Sequence, residues 1–343
     1  MTRHLRHALI VMLIAAPAAA AEPCTTATDA CVQWVGVGDG PWRSLVYSSY
    51  PLDARNEQIG RALVLVHGAG RNADDMFRTG VAAAIVANAL DDTIVISIRF
   101  ASSQGTCRDR LATNEVSWDC GEGSSGGWRA GAASVSSAAL TSFDLTDALL
   151  RTLARQETFP NLRRIVVASF SAGGQHVNRY AMANKVHEQL RVPVTYVVGS
   201  PSSYGYPDDI RPAPNGSGFD AFADARNCTT FNHWPFGLEG RTGYSAAVAD
   251  EQLRRNLVSR PTTYLIGELE GPEAPALDVS CPAMAQGRSR MARGQAFLKY
   301  IAAKYRATHA LVVAPQCGHN GRCVFTSGAA LPILFPEGEG RTP

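Results

Sequence analysis

The chain has 343 residues, a formal charge of +2, 45% apolar residues and 18% charged ones. That length and apolar share exclude wholesale disorder and allow a large core without metal staples. The near-balanced charge argues against a sequence-independent nucleic-acid binder, which needs a basic field. Interior apolar runs all fall short of about 18 residues, so the mature chain is expected to carry no transmembrane helix.

The first element is a leader. Thr2–His7 carries Arg3 and Arg6, Ala8–Ala16 is apolar, and Pro17 precedes the small residues Ala18–Ala21. A basic start, a short apolar run and an Ala-x-Ala end read as a secretory signal peptide over residues 1–21, cleaved after Ala21. The run is too short for a membrane anchor. Cleavage removes Arg3 and Arg6, so Lys+Arg falls from 32 to 30, equal to the 30 Asp+Glu, and the mature chain is formally neutral. The expected location is secreted or periplasmic. In that oxidising setting the eight cysteines read as disulfides rather than metal ligands, since no Cys-x-x-Cys is present. Neighbours in sequence give Cys24–Cys31, Cys107–Cys120, Cys228–Cys281 and Cys317–Cys323.

Next, strands and helices alternate. Arg61–Val66 is an apolar run of the kind buried on both faces of a sheet, and it ends in His67-Gly68-Ala69-Gly70. Ala73–Leu90 reads as helix and Thr93–Ile98 as strand. Gly105–Gly131, rich in Gly and Ser, reads as a long cross-linked loop. Ser136–Arg155 has helical spacing, Ile165–Ala168 reads as strand, Gly173–Leu190 as helix and Val194–Val198 as strand. An irregular stretch follows, about 200–243, too long for a simple connection and expected to form a lid or binding insertion. Ala246–Val258 reads as helix, Thr262–Ile266 as strand, Met284–Tyr305 as helix and Ala310–Ala314 as the last strand. Alternating units of this kind imply an α/β fold with a mostly parallel sheet covered by helices on both faces. One domain over residues 22–343, with an insertion, is expected rather than two domains.

Three segments carry chemistry. Ile165 to Gly174 reads Ile-Val-Val-Ala-Ser-Phe-Ser-Ala-Gly-Gly: a strand, a small-x-Ser-x-Gly turn and a helix. That setting presents Ser171 as a nucleophile at a strand's C-terminal end and a helix's N-terminus, where the dipole favours negative charge. Ser169 stands where the motif usually has Gly and is the rival nucleophile. The Gly-rich turn after Val66 can aim the Ala69 N–H, or that of Gly70, at an oxyanion together with the Ala172 N–H. His67 reads as a residue that holds this turn rather than as a base. Near the C-terminus, Leu311–Ala314 delivers Pro315-Gln316-Cys317-Gly318-His319, and His319 is the expected base. The acid is expected after the strand Thr262–Ile266: Glu270, with Glu268 and Asp278 as alternatives.

These segments resemble an α/β-hydrolase-fold serine esterase. The stretches from His67 to Asp75 and from Ser169 to Gln175 are similar to secreted enzymes of the polyhydroxybutyrate-depolymerase and feruloyl-esterase type. The resemblance spans about Arg61 to Asn320 and implies an α/β-hydrolase fold with its insertion after the sixth strand. It also implies the order Ser171, Glu270, His319 and no metal or organic cofactor. The acid in such enzymes is most often Asp, so Glu270 departs from the pattern. The implied activity is cleavage of carboxylic esters, small or polymeric, through an acyl-enzyme. A peptidase or amidase on the same fold, and a non-catalytic binding protein, are the other classes open. Tyr204, Tyr206, Phe219, Phe222, Phe231, Trp234 and Phe236 in the insertion either line an apolar or aromatic acyl site or pack the insertion itself.

Overall fold

The computed structural model describes residues 22–120, 127–213, 216 and 218–336. The expected signal segment, 1–21, lies outside them, as does part of the expected loop, 121–126.

The described chain begins with an antiparallel hairpin, β1 (Val32–Gly36) and β2 (Arg43–Ser48). There follow β3 (Arg61–Val66), α1 (Ala73–Val86), β4 (Thr93–Ile98), α2 (Ser142–Leu153), β5 (Arg164–Phe170), α3 (Ala172–Ala183) and β6 (Val194–Gly199). The irregular stretch after β6 holds a short hairpin, β7 (Ile210–Pro212) with β8 (Phe219–Ala221). Then come α4 (Asp250–Ser259), β9 (Thr262–Gly267), α5 (Cys281–Met284), α6 (Arg290–Tyr305), β10 (Ala310–Ala314), α7 (Gly321–Thr326) and α8 (Leu331–Leu334).

Eight of these strands form one sheet in the order β1-β2-β4-β3-β5-β6-β9-β10. Only the β1–β2 and β2–β4 pairings are antiparallel; from β4 to β10 all neighbours run parallel. Alternation along each strand sorts the core into two layers. Val64, Val66, Val167 and Val198 pack with Leu149 of α2, Val177 of α3, Leu253 of α4 and Phe297 of α6. Leu63, Leu65, Val166 and Val197 face the other way, onto Phe77 of α1, Phe325 of α7 and Leu334 of α8. A sheet covered on both faces is what its continuous apolar strands demand.

Helix boundaries move inward from those expected, for local reasons. The helix expected from Ser136 begins at Ser142, because Thr141 and Asp144 form a reciprocal capping box. The helix expected from Met284 begins at Arg290, because the Ser289 hydroxyl caps Ala292 N–H. The helix expected to reach Leu190 stops at Ala183 and resumes only as a 3-10 turn at His187–Gln189. β1, β2, α7 and α8 have no counterpart in the sequence expectations. The cysteines pair as neighbours in sequence, at Cα–Cα distances of 5.5, 5.7, 5.9 and 5.7 Å in chain order, within the range a disulfide spans. Four disulfides suit an oxidising compartment. No helix among the described residues is long and apolar enough to cross a membrane.

Candidate active site

β5 ends at Phe170 and α3 begins at Ala172, leaving Ser171 as the single residue of a sharp turn, with φ 58° and ψ −115°. A non-glycine residue there is strained by an amount of order 1–3 kcal/mol, so the surroundings must hold it. They do so by main-chain bonds: Ser171 N–H donates to Gly199 O at 2.9 Å and Gln175 N–H to Ser171 O at 3.2 Å. Gly173 and Gly174 let the start of α3 sit on the ends of β3 and β6. A Cβ on Gly173 would collide with the carbonyls of Val66 and His67, and one on Gly174 with that of Gly199. Ser169 is fully buried and its hydroxyl donates to Val197 O at 3.1 Å, away from the turn's outer face.

The loop after β10 brings His319 to this turn. Its Nε2 lies 2.9 Å from Ser171 Oγ and its Nδ1 lies 2.8 Å from Glu270 Oε2. The ring leans on Phe170, centroid to centroid 4.7 Å. The Cys317–Cys323 bridge spans the loop, and the Asn320 side chain accepts from Cys323 N–H at 3.0 Å to open α7.

Glu270 lies in the turn after β9 and is fully buried. Its other oxygen, Oε1, accepts from the Ser200 hydroxyl and from Gly267 N–H at 3.3 Å. The two alternative acids point elsewhere. Glu268 accepts from Gln316 N–H at 2.8 Å, and Asp278 accepts from Ser280 N–H at 2.9 Å.

The turn after β3 closes the other side. Gly68 stands so close that a Cβ on it would be 3.7 Å from Ser171 Cβ. Neither the Ala69 nor the Ala172 N–H donates to another group among the described residues, so both are open donors, as helix starts and Gly-rich turns leave them. His67 fixes the turn: its Nδ1 lies 2.9 Å from Gly68 O, and its Nε2 accepts from Phe100 N–H at 3.1 Å. This pattern assigns the neutral Nδ1–H tautomer. Burial lowers its pKa to about 4, consistent with that form. Trp128 packs edge-on at 4.9 Å. Arg71, with φ 53°, extends the turn and pairs with Asp109 at 3.2 Å.

Beside His319 opens a cavity of about 520 Å³ between α1 and α7, lined by Gly68, Met76, Thr79, Phe170, Arg322 and Thr326 among others. None of the seven insertion aromatics lines it. Tyr204, Tyr206 and Phe236 are buried, Phe219 and Trp234 pack against the same core, and Phe222 pairs with Phe231 at 4.9 Å. These rings pack against the core or against one another. Sequence reasoning missed Ser200 and the Phe170 ring contact; only the register of β5, β6 and β9 brings Ser200 to Glu270.

Residues 63–331 match the Alpha/beta hydrolase family. Among solved structures, the chain is similar to the poly(3-hydroxybutyrate) depolymerase LpqC of Bordetella parapertussis, with 19% identity, coverage of 91% of each chain and a TM-score of 0.60. It is also similar to poly(aspartic acid) hydrolase-1 of Sphingomonas sp. KT-1, with 20% identity over 85% of this chain and 95% of that one and a TM-score of 0.58. At such identities the likeness is one of fold. No curated protein matches the chain.

Proposed function

The chain belongs to the alpha/beta hydrolase family, and on that premise we propose that it is a secreted serine esterase that cleaves carboxylic esters through an acyl-enzyme. The observation that carries this reading is one imidazole bonded on both sides, to Ser171 at 2.9 Å and to Glu270 at 2.8 Å. His319 Nε2 takes the Ser171 proton as Oγ attacks the ester carbonyl carbon. Negative charge then gathers on the carbonyl oxygen, and the Ala69 and Ala172 N–H groups receive it. Losing one such donor typically costs about 10²–10³ in rate. His319 passes its proton to the departing alcohol, which leaves the acyl group on Ser171. A water then gives a proton to His319 as its oxygen attacks the acyl carbon, and His319 returns that proton to Ser171 Oγ as the bond to the serine breaks and the acid leaves. Glu270 keeps Nδ1–H pointing at itself and stabilises the charged ring.

Ser171→Ala should abolish hydrolysis of short p-nitrophenyl esters and labelling by a fluorophosphonate while the protein remains folded. Unchanged turnover would refute the nucleophile. Matched ester and amide substrates separate an esterase from an amidase, and a screen over acyl length, aromatic esters and polyesters finds the acyl group. Export through a cleaved leader belongs to the same reading. The N-terminus of the exported protein should be Glu22, and an intact Met1 would sink that part. The segment 200–243 reads as an insertion in one domain.

A further inference from the structure

We propose that Arg290 is a positioning residue for this site: its buried guanidinium holds Glu270 in the ionised form that orients His319. The inference rests on the serine-esterase reading and adds a residue to it.

Arg290 occupies the first position of α6, directly after the cap Ser289. A cation there opposes the helix macrodipole, which favours acids in the first turn. The residue is nonetheless fully buried, so something other than helix stability accounts for it. Its Nε lies 3.6 Å from Glu270 Oε2, with both side chains wholly inaccessible, and Glu270 is the one carboxylate within 4.0 Å of it among the described residues. Nη2 is occupied, donating to Ser202 Oγ at 3.0 Å and to Ala276 O at 2.6 Å. Nε and Nη1 are buried with no hydrogen-bond partner among the described residues. A guanidinium that leaves two nitrogens unbonded in the interior is costly unless a charge answers it.

Glu270 has the matching need. A carboxylate out of water takes up a proton unless a cation or several donors stabilise it. Ser200 and Gly267 bond Oε1 as neutral donors. Oε2 is shared between His319 Nδ1 and the field of Arg290. A protonated Glu270 could not stabilise the imidazolium that forms when Ser171 loses its proton. The other groups around the pair are accounted for. Glu268 is bonded to Gln316 N–H. Arg293, one turn along α6, is bonded to the carbonyls of Ser202, Gly287 and Asp278. The Tyr204 phenol is held neutral by burial. Asp75 of α1 and Arg322 of α7 lie across the cavity beside His319, 3.9 Å from each other.

The test is the pH dependence of kcat/KM for a short ester in the wild type, Arg290→Met and Arg290→Lys. The acidic limb of kcat/KM reports a proton taken up by the catalytic groups of the free enzyme. A cation beside the pair lowers that proton affinity, so removing it moves the acidic limb of the profile upward, by about one pH unit for Arg290→Met. Arg290→Lys should return the limb to the wild-type position. An acidic limb that stays in place in Arg290→Met, whatever happens to kcat, overturns the proposal, as does an equal shift in the Lys variant. A structural role alone would lower kcat at all pH values together. If Arg290→Met does not fold, infrared difference spectra between the wild type and Glu270→Gln at mildly acidic pH read the same point without touching Arg290. An ionised carboxylate band is expected, and a protonated carboxyl band there overturns the proposal. Ser171→Ala is run alongside: retained turnover in it sinks the esterase reading, whereas an unmoved limb with that control inactive sinks only the role of Arg290.

Discussion

Glu270 carries one methylene more than an aspartate, and the turn after β9 uses that length. Its N–H donates back to Gly267 O at 3.2 Å, while its side chain folds over to Gly267 N–H, Ser200 and His319. Both carboxylate oxygens are thereby committed, which is what makes the charge on this residue matter. Glu270→Gln would place an amide opposite Nδ1. If its NH₂ donates there, the imidazole takes the other tautomer and can no longer accept the Ser171 proton. A loss of about 10⁴ in kcat is expected on the precedent of such acid-to-amide changes. Glu268→Gln, which only loses charge on a bond to Gln316 N–H, should keep near wild-type turnover. Comparable losses in the two variants would reopen the assignment of the acid. At this scale the sequence was legible unevenly. Ser171 and His319 each follow an apolar strand within a few residues, so their places could be read locally. The acid could not be singled out, because Glu268, Glu270 and Asp278 all follow one strand and only tertiary contact separates them. Ser200 and Arg290 carry no local signal, since what defines them is a partner 70 residues away for the first and 20 for the second.

The parallel strands were the legible elements because each is a short apolar run that helices must cover. Capped helix starts were not, because Thr141 and Ser289 break the helix before its apolar periodicity fades. The hairpin of β1 and β2 could have been found from the turn residues Gly38, Asp39 and Gly40 between two strand-like runs. By contrast, α7 and α8, of 6 and 4 residues, are shorter than any useful helical period and exist because Val324, Phe325 and Leu334 pack under α1. The disulfides tie such irregular elements to the frame, and their loop lengths make a testable contrast. Cys228–Cys281 joins the post-β6 stretch to α5 across 53 residues, and Cys317–Cys323 closes 6 around His319. Chain entropy assigns them about 4 and about 2 kcal/mol respectively. Cys228→Ala/Cys281→Ala should therefore lower the denaturation midpoint more, while Cys317→Ala/Cys323→Ala should lower kcat more, because it frees the loop that presents the imidazole. Equal kcat in the two double variants would show that the small bridge does not hold His319.

Across the whole molecule, buried titratable groups set how stability responds to pH. Burial lowers His67 to about 4, His176 to about 3 and His309 to about 4, each from an ordinary value near 6.5. The folded state keeps these rings neutral, while the unfolded chain protonates them below about pH 6.5. Their contribution is therefore present above about 6.5 and is lost as pH falls toward 4 and below. For His67 alone the full loss is of order 3 kcal/mol. Asp147 acts with the opposite sign. Burial raises it to about 6 from 3.8, against bonds from the Tyr180 and Tyr244 hydroxyls at 2.6 Å each. The folded state holds that proton more tightly, so its stabilisation is present at low pH and is lost as pH rises through about 6. His187, also lowered by burial, acts with the three, and these four histidines against one carboxyl decide the outcome. Guanidinium unfolding midpoints should fall between pH 7 and pH 4.5, and Asp147→Asn should make that fall steeper by removing a group that opposes it. His176 sits between Trp128 O at 2.8 Å and Thr146 Oγ1 at 3.2 Å, so His176→Gln should flatten the acid side of the curve at some cost in midpoint at neutral pH. A midpoint that holds steady or rises on acidification in the wild type would mean that these rings are not neutral in the folded protein. The neutral His67 that fixes the Gly68 turn would then lose its basis as well.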